Sequence, residues 1–401
     1  MSILSQTVQN LKPSQTIAIS TKAAELRAAG RDVIALSAGE PDFDTPETIK
    51  DAAKAAMDAG ETKYTAPDGT PVLKDAIIEK FSRENGLTFT RDDVIASTGG
   101  KQVIFNALMA TLNPSDEVII QAPHWVSYPD MVGLCGGTPV TIQTTAEDKF
   151  ILSPDALEAA ITPKTKWLML NSPGNPSGAV YSAEALAGLA EVLCRHPHVW
   201  VMCDDMYEHL VYGVSFATMA VVAPDLKDRV LTVNGVSKAY AMTGWRIGYA
   251  GGPAPLIKAM KSVQSQSTSN PSSISQAAAA AALVGPQDYI AMSVPVFNAR
   301  RDMIVAALND CPGVECLTPD GAFYVFPSIA GAIGKKTVAG KTLSTDEDVS
   351  LALLDDEDVA LVHGSAFGTP GHLRLSYAAS DAALSEAATR MKRFFESLTD
   401  A

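Results

Sequence analysis

Short runs rich in β-branched residues alternate with longer amphipathic runs through most of this chain, and that alternation limits its fold more than any single motif does. Strand-like pieces fall at 93–97, 117–122, 138–143, 165–170, 199–203, 230–233 and 246–250. Helix-like stretches such as 70–85 and 182–195 lie between them, the second opening on Ser182, a residue suited to an N-cap. Strand–helix–strand alternation predicts an α/β fold, a mostly parallel seven-stranded sheet between helices. In such sheets ligands gather at the carboxyl ends of the strands, so the loops just after strands deserve the closest reading.

The pattern changes near residue 290. Helices are expected at 296–308 and 382–395 and strands at 321–326 and 372–377, which is an α+β arrangement. The first 45 residues offer one helix-like stretch, 17–29, and one strand, 33–37, too little to fold alone. We therefore expect three segments: 1–45 as an N-terminal arm and part of a small domain, 46–290 as a large domain, and 291–401 as the rest of the small domain. The length of 401 residues exceeds what one compact core usually supports and agrees with two domains.

Composition removes several classes of function. With 31 Lys plus Arg against 45 Asp plus Glu, the formal charge is −14, and a nucleic-acid partner, which demands a basic face, is not expected. The longest apolar run, 277–284, is far short of the roughly 18–20 residues of a membrane span, and the N-terminus has no basic start followed by an apolar core. Cys135, Cys194, Cys203, Cys311 and Cys316 are odd in number and scattered, as in reduced cytoplasmic proteins.

Two motifs mislead. Gly340-Lys341-Thr342 resembles the end of a phosphate-binding P-loop, but Lys335 stands where the first glycine belongs and no strand precedes it. His196-Pro197-His198 suggests a metal, yet no further ligands are spaced to complete a site, and it reads better as a turn ending the 182–195 helix. No metal is expected.

Four post-strand loops carry the chemistry. Ser97-Thr98-Gly99-Gly100-Lys101 leads into a helix-like 102–112; it suits a phosphate at a helix N-terminus and is also a common turn. The run 171–178, Asn-Ser-Pro-Gly-Asn-Pro-Ser-Gly, is a rigid turn in which Asn175 can both donate and accept. Asp204-Asp205-Met206-Tyr207 ends an apolar strand and either caps a helix or faces a ligand. Ser237-Lys238 follows another buried strand, with Arg246 eight residues on; a lysine there is seldom without purpose, and desolvation makes it a Schiff-base nucleophile.

In this order, the loops resemble those of the fold-type I, pyridoxal-phosphate-dependent aminotransferases of class I/II. The resemblance extends over essentially the full chain through Ala38-Gly39-Glu40-Pro41-Asp42, Tyr64, Trp125 and Arg374 as well. Within that family the chain is most similar to bacterial aspartate aminotransferases with Lys12-Pro13-Ser14 and Thr16, especially those that also accept prephenate. The resemblance implies transfer of an amino group from L-aspartate to 2-oxoglutarate. It implies that Lys238 binds pyridoxal 5′-phosphate and shuttles the proton, that Asp204 faces the pyridine nitrogen, and that Tyr207 and Asn175 hydrogen-bond the phenolic oxygen. Trp125 would stack on the ring. Gly99, Gly100, Lys101, Ser237 and Arg246 would surround the phosphate, joined by Tyr64 from the second subunit of a homodimer. Arg374 would clamp the α-carboxylate, helped by Asn175, Trp125 and Gly39; Thr16, Lys101 and the second subunit's Ser265 would take the distal carboxylate, and Lys12 is linked to prephenate.

Two positions depart from relatives. Ser265 stands where many aspartate aminotransferases place an arginine, and Gly235 replaces a serine near the lysine, removing one hydroxyl from the phosphate cup. Other activities on the same scaffold, an aromatic aminotransferase or a C–S β-lyase, share the cofactor residues; Lys101 and Thr16 favour an acidic side chain. A non-catalytic relative usually carries a DNA-binding module or lacks the lysine, and this chain does neither.

Overall fold

The computed structural model describes residues 3–9, 11 and 15–400, with the side chains of residues 6, 7 and 15–17 outside that description. Ile34–Ala35 is β1, and the central sheet follows as β2 (Val94–Ser97), β3 (Glu117–Ala122), β4 (Thr138–Gln143), β5 (Thr165–Asn171), β6 (Trp200–Asp204), β7 (Val230–Gly235) and β8 (Gly248–Gly251). Their order is β2-β8-β7-β6-β5-β3-β4. The sheet has seven strands, as the alternation predicts, and only β8 runs against its neighbours β2 and β7. Residues 246–247 do not belong to β8: Arg246 has φ 57° and ψ 54° at the end of the turn Thr243–Trp245, and this left-handed residue redirects the chain. Hydrophobic periodicity records spacing but not direction, so an antiparallel return is invisible to it.

Local chemistry explains the flanking helices. Pro71–Asn85 starts behind Thr70, whose hydroxyl accepts from the Leu73 amide, carries proline in its first turn and stops at Gly86 with φ 66°. Ser182 caps Ala183–Arg195 by accepting from the Ala185 amide at 3.1 Å. The helix after β2 is Gly100–Thr111, so its first turn begins inside the Gly-Gly pair, two residues before the expected start. Strands β5 and β6 read as near-continuous buried runs because helices cover both faces of the sheet.

A second layer contains β9 (Tyr324–Val325), β10 (Val359–Ala360), β11 (Val362–His363) and β12 (Leu373–Ser376). Antiparallel strands are ordered β11-β12-β9, and β1 pairs in parallel with β10. The N-terminal segment is thereby stitched to the C-terminal part: Leu36 N–H donates to Ala360 O at 3.0 Å, and Ser376 N–H donates to Leu36 O at 2.9 Å. In this layer Phe323, Tyr324, Leu353, Leu375 and Phe395 pack together in a core that also takes in Tyr207, Leu210 and Tyr212. Strands expected over 321–326 and 372–377 shorten to β9 and β12 because bridges and turns take the flanks. The helix expected over 296–308 is longer, Asp288–Asn309, with Pro295 inside it.

The two decoys resolve locally. Gly340, at φ 80°, turns a short hairpin in which Lys336 bridges to Thr342, not a helix N-terminus. His196 ends its helix with Nε2 2.8 Å from Glu158, and His198 lies 3.0 Å from the Thr162 carbonyl.

Candidate active site

Strands β2, β3, β5, β6 and β7 deliver their carboxyl ends to one edge of the sheet, where a cavity of about 320 Å³ opens against β9 and β12. Asp204 is the last residue of β6, and Asn171 the last of β5; the Asn171 amide donates to the Asp204 carbonyl at 2.8 Å and locks the two strand ends together. Asn171 Oδ1 also accepts from the Asn175 backbone at 2.8 Å, which fixes the bend of the proline-rich loop. Asn175 Oδ1 in turn accepts from Arg374 at 3.1 Å, so the large and small layers meet through this contact.

Asp204 is buried, and its carboxylate accepts from the Tyr128 hydroxyl at 2.6 Å. Burial holds its pKa above the ordinary carboxylate value, against the pull of Tyr128, the Met206 amide and Lys238. A carboxylate in that position lacks a full counter-charge, and a cation beside it would reverse the shift.

Lys238 follows β7 and donates from Nζ to the Gly39 carbonyl. Burial is the main reason that its pKa falls to about 8; Arg246 and Arg374 lower it further, while Glu40 and Asp204 oppose them. Such an ammonium gives up its proton around pH 8, far below an exposed lysine, which suits a nucleophilic or proton-carrying role. Arg374, on β12, is 2% exposed; its Nη atoms donate to Asn175 Oδ1 and the Ser37 carbonyl, and its Nε is buried without a partner. Lys101 stands 4.7 Å from the Trp125 ring, and desolvation with Arg246 nearby lowers its pKa.

Glycine makes room for the cationic end. Gly99, at φ 86°, lies so close to the Arg246 guanidinium that a methyl there would overlap it, and a methyl on Gly100 would strike the end of Met206. The Gly100 amide opens a helix of 12 residues beside Arg246 and Ser237, a setting suited to an anion, while the Gly99 amide donates to the Ser97 carbonyl at 2.8 Å.

Of the residues expected from sequence, Gly39, Gly100, Lys101, Trp125, Asn175, Asp204, Tyr207, Ser237, Lys238, Arg246 and Arg374 line this cavity. Gly99 adjoins it through Arg246. Tyr64, 92% exposed, and Ser265, whose hydroxyl donates to Ser262 O on the helix Ala254–Ser267, do not line it within one chain. Lys12 and the Thr16 side chain lie outside the described residues.

Sequence reading missed Tyr128 and Tyr324, which also line the cavity. Tyr128 lies three residues after Trp125, and that spacing was the one available sign. Tyr324 stands in the apolar run 322–326, which reads as core.

This sheet order, with the lysine, aspartate and arginine brought to its carboxyl edge, defines the fold-type I aminotransferase architecture. Comparison with known proteins agrees and goes further. A 59%-identical relative covering all of both chains is the aspartate/prephenate aminotransferase of Cereibacter sphaeroides. The aspartate aminotransferase of Rhizobium meliloti is 57% identical over 96% of this chain and 94% of its own. Among solved structures, an aspartate aminotransferase from Rhizobium meliloti superposes with a TM-score of 0.96 at 55% identity, covering 100% of both chains. The Thermus thermophilus enzyme with maleate gives 0.92 at 44% identity, over 98% of this chain and 100% of its own. The chain belongs to the family of class I and II aminotransferases, whose model matches residues 31–391; it is an aminotransferase acting on small amino and keto acids.

Proposed function

We propose that this aminotransferase moves the amino group of L-aspartate to 2-oxoglutarate, with pyridoxal 5′-phosphate as its cofactor, and that it also accepts prephenate. The observation that carries the reading is the convergence of three buried groups on one cavity: a lysine with pKa about 8, a carboxylate short of a cation, and an arginine with an unpartnered Nε. Relatives named for aspartate and for aspartate/prephenate, at 54–59% identity, support the substrates.

The residues fit the cofactor. Asp204 supplies the missing half of an ion pair for a protonated ring nitrogen, and Tyr207 and Asn175 offer hydrogen bonds to its phenolic oxygen. Trp125 provides an aromatic face, while the turn Gly99-Gly100, through the Gly100 amide, with Lys101, Ser237 and Arg246 provides the anion cup, completed by Tyr64 from a second copy of the chain. When bound, pyridoxal phosphate supplies a carbonyl for the substrate amine and a cationic ring that withdraws electrons from the substrate Cα.

The protein's own work is proton transfer and positioning. Lys238, neutral in a useful fraction near its pKa, would take the proton from the substrate Cα and deliver it to the carbonyl-derived carbon of the cofactor, across the shared nitrogen from Cα. Arg374 holds the α-carboxylate through its planar fork, with Asn175, Trp125 and Gly39 beside it. Lys101, Thr16 and the second copy's Ser265 are proposed for the distal carboxylate, and Lys12 for prephenate. A homodimer with shared sites follows from these assignments. No helix among the described residues is long and apolar enough to cross a membrane, and the described thiols are free; the cytoplasm is the proposed compartment.

Absorbance tests the reading. Wild-type protein loaded with pyridoxal phosphate should gain a near-visible band that changes on adding aspartate, and Lys238→Ala should not form it. Turnover of aspartate with 2-oxoglutarate, oxaloacetate and prephenate, on wild type and Lys12→Ala, then ranks the acceptors. No band in loaded wild type would sink the cofactor, and prephenate turnover untouched by Lys12→Ala would remove that residue's role.

A further inference from the structure

Tyr324 meets two groups of the site at once. Its hydroxyl lies 2.8 Å from that of Tyr207, and its ring stands 4.8 Å from the Arg374 guanidinium. Tyr324, Tyr207 and Arg374 are 0%, 5% and 2% exposed, so water does not serve as a general partner for either hydroxyl. The Gly39 backbone closes over the pair: a methyl built there would come within 2.6 Å of the Tyr324 hydroxyl, and the Gly39 carbonyl accepts from Lys238.

A phenol has one hydrogen to give. When Tyr207 donates outward to an acceptor in the cavity, the hydrogen between the two tyrosines must come from Tyr324. A hydrogen bond received at its oxygen polarises Tyr207 and makes it the stronger donor. Burial raises the pKa of both phenols and Arg374 works against it, so a carboxylate that neutralises Arg374 weakens the donation from Tyr324. Asp204 and Arg374 are the other charged groups acting on Tyr207.

We propose that Tyr324 is a positioning residue that orients the Tyr207 hydrogen bond into the cavity and transmits to it whether Arg374 holds a carboxylate. The proposal rests on the cofactor reading above, in which the acceptor from Tyr207 is the cofactor's phenolic oxygen.

The test is a pH titration of the near-visible band in cofactor-loaded wild type, Tyr324→Phe, Tyr207→Phe and the double variant, with and without saturating maleate as a dicarboxylate probe. Tyr324→Phe should change the proton affinity read by the band about threefold or more, the scale of one lost neutral hydrogen bond. It should also shrink the displacement that maleate causes, while maleate still binds. In the Tyr207→Phe background, Tyr324→Phe should change neither quantity, because the coupling needs both hydroxyls. An unchanged midpoint and maleate response in Tyr324→Phe, or an effect that persists without the Tyr207 hydroxyl, overturns the relay and leaves the cofactor reading standing. A wild type that forms no band overturns both.

Discussion

Lys238 illustrates how far one residue's surroundings can set its chemistry. Its ordinary pKa of 10.5 falls to about 8 through burial, reinforced by Arg246 and Arg374. Below pH 8 the group is protonated in both the folded and the open chain, and the fold bears the whole cost of a buried ammonium. Between about pH 8 and 10.5 the open chain binds more protons, so this contribution to stability improves as pH rises. In cofactor-free protein, Lys238→Met should therefore melt above wild type at pH 7, and the difference should shrink by pH 10. Melting curves of both proteins across that range check it; a difference that is flat with pH would place the lysine in water. Lys238 and Arg374 were legible in the sequence because a cation amid apolar strand residues is anomalous. Tyr128 and Tyr324 were not, because an aromatic residue in an apolar run looks the same whether it fills a core or walls a cavity.

Among elements, the loop between β2 and its helix is the most constrained, and it separates two kinds of glycine. A methyl on Gly99 would overlap the Arg246 guanidinium, the free end of a flexible side chain. Gly99 also has φ 86° and ψ 159°, a region essentially closed to side chains, so Gly99→Ala should lose about 1–3 kcal/mol of stability, displace Arg246 and weaken pyridoxal-phosphate affinity by about tenfold or more; thermal unfolding and spectrophotometric titration of cofactor-free protein measure the two effects. Gly248, on β8, abuts the backbone of Gly99 and Gly100, which cannot move aside. Gly248→Ala should cost about 1–3 kcal/mol of stability, at the upper end because the obstacle is backbone, and thermal unfolding without cofactor reads it directly. Native-like melting of Gly248→Ala would mean that the β2–β8 pairing is looser than this register. From sequence the Gly-Gly pair could be read as a common turn into a helix or as a place for an anion. The need for Gly248 was not visible there, since it arises only when the antiparallel β8 is inserted beside β2.

At the scale of the whole molecule, charge and chain topology separate surface from site. The formal charge of −14 belongs to the chain as a whole, whereas the cavity gathers Lys101, Lys238, Arg246 and Arg374. Both chain ends build the layer that carries Arg374, through the pairing of β1 with β10, and we propose that residues 1–45 and 291–401 act together as the small domain. Tyr64, 92% exposed, and Ser265 do not line the cavity of their own copy, so the roles proposed for them require a neighbour.

Hybrid dimers decide this last point. A Tyr64→Ala subunit paired with a Lys238→Ala subunit has one site with its own lysine and the neighbour's intact tyrosine, and a second site carrying both lesions. If subunits exchange at random, half of the dimers are hybrids with one sound site of two, so a mixture of two nearly inactive variants should regain about a quarter of wild-type activity. Each variant refolded alone should stay inactive. A mixture no more active than its parts would place Tyr64 outside the neighbour's site and return the anion cup to a single chain.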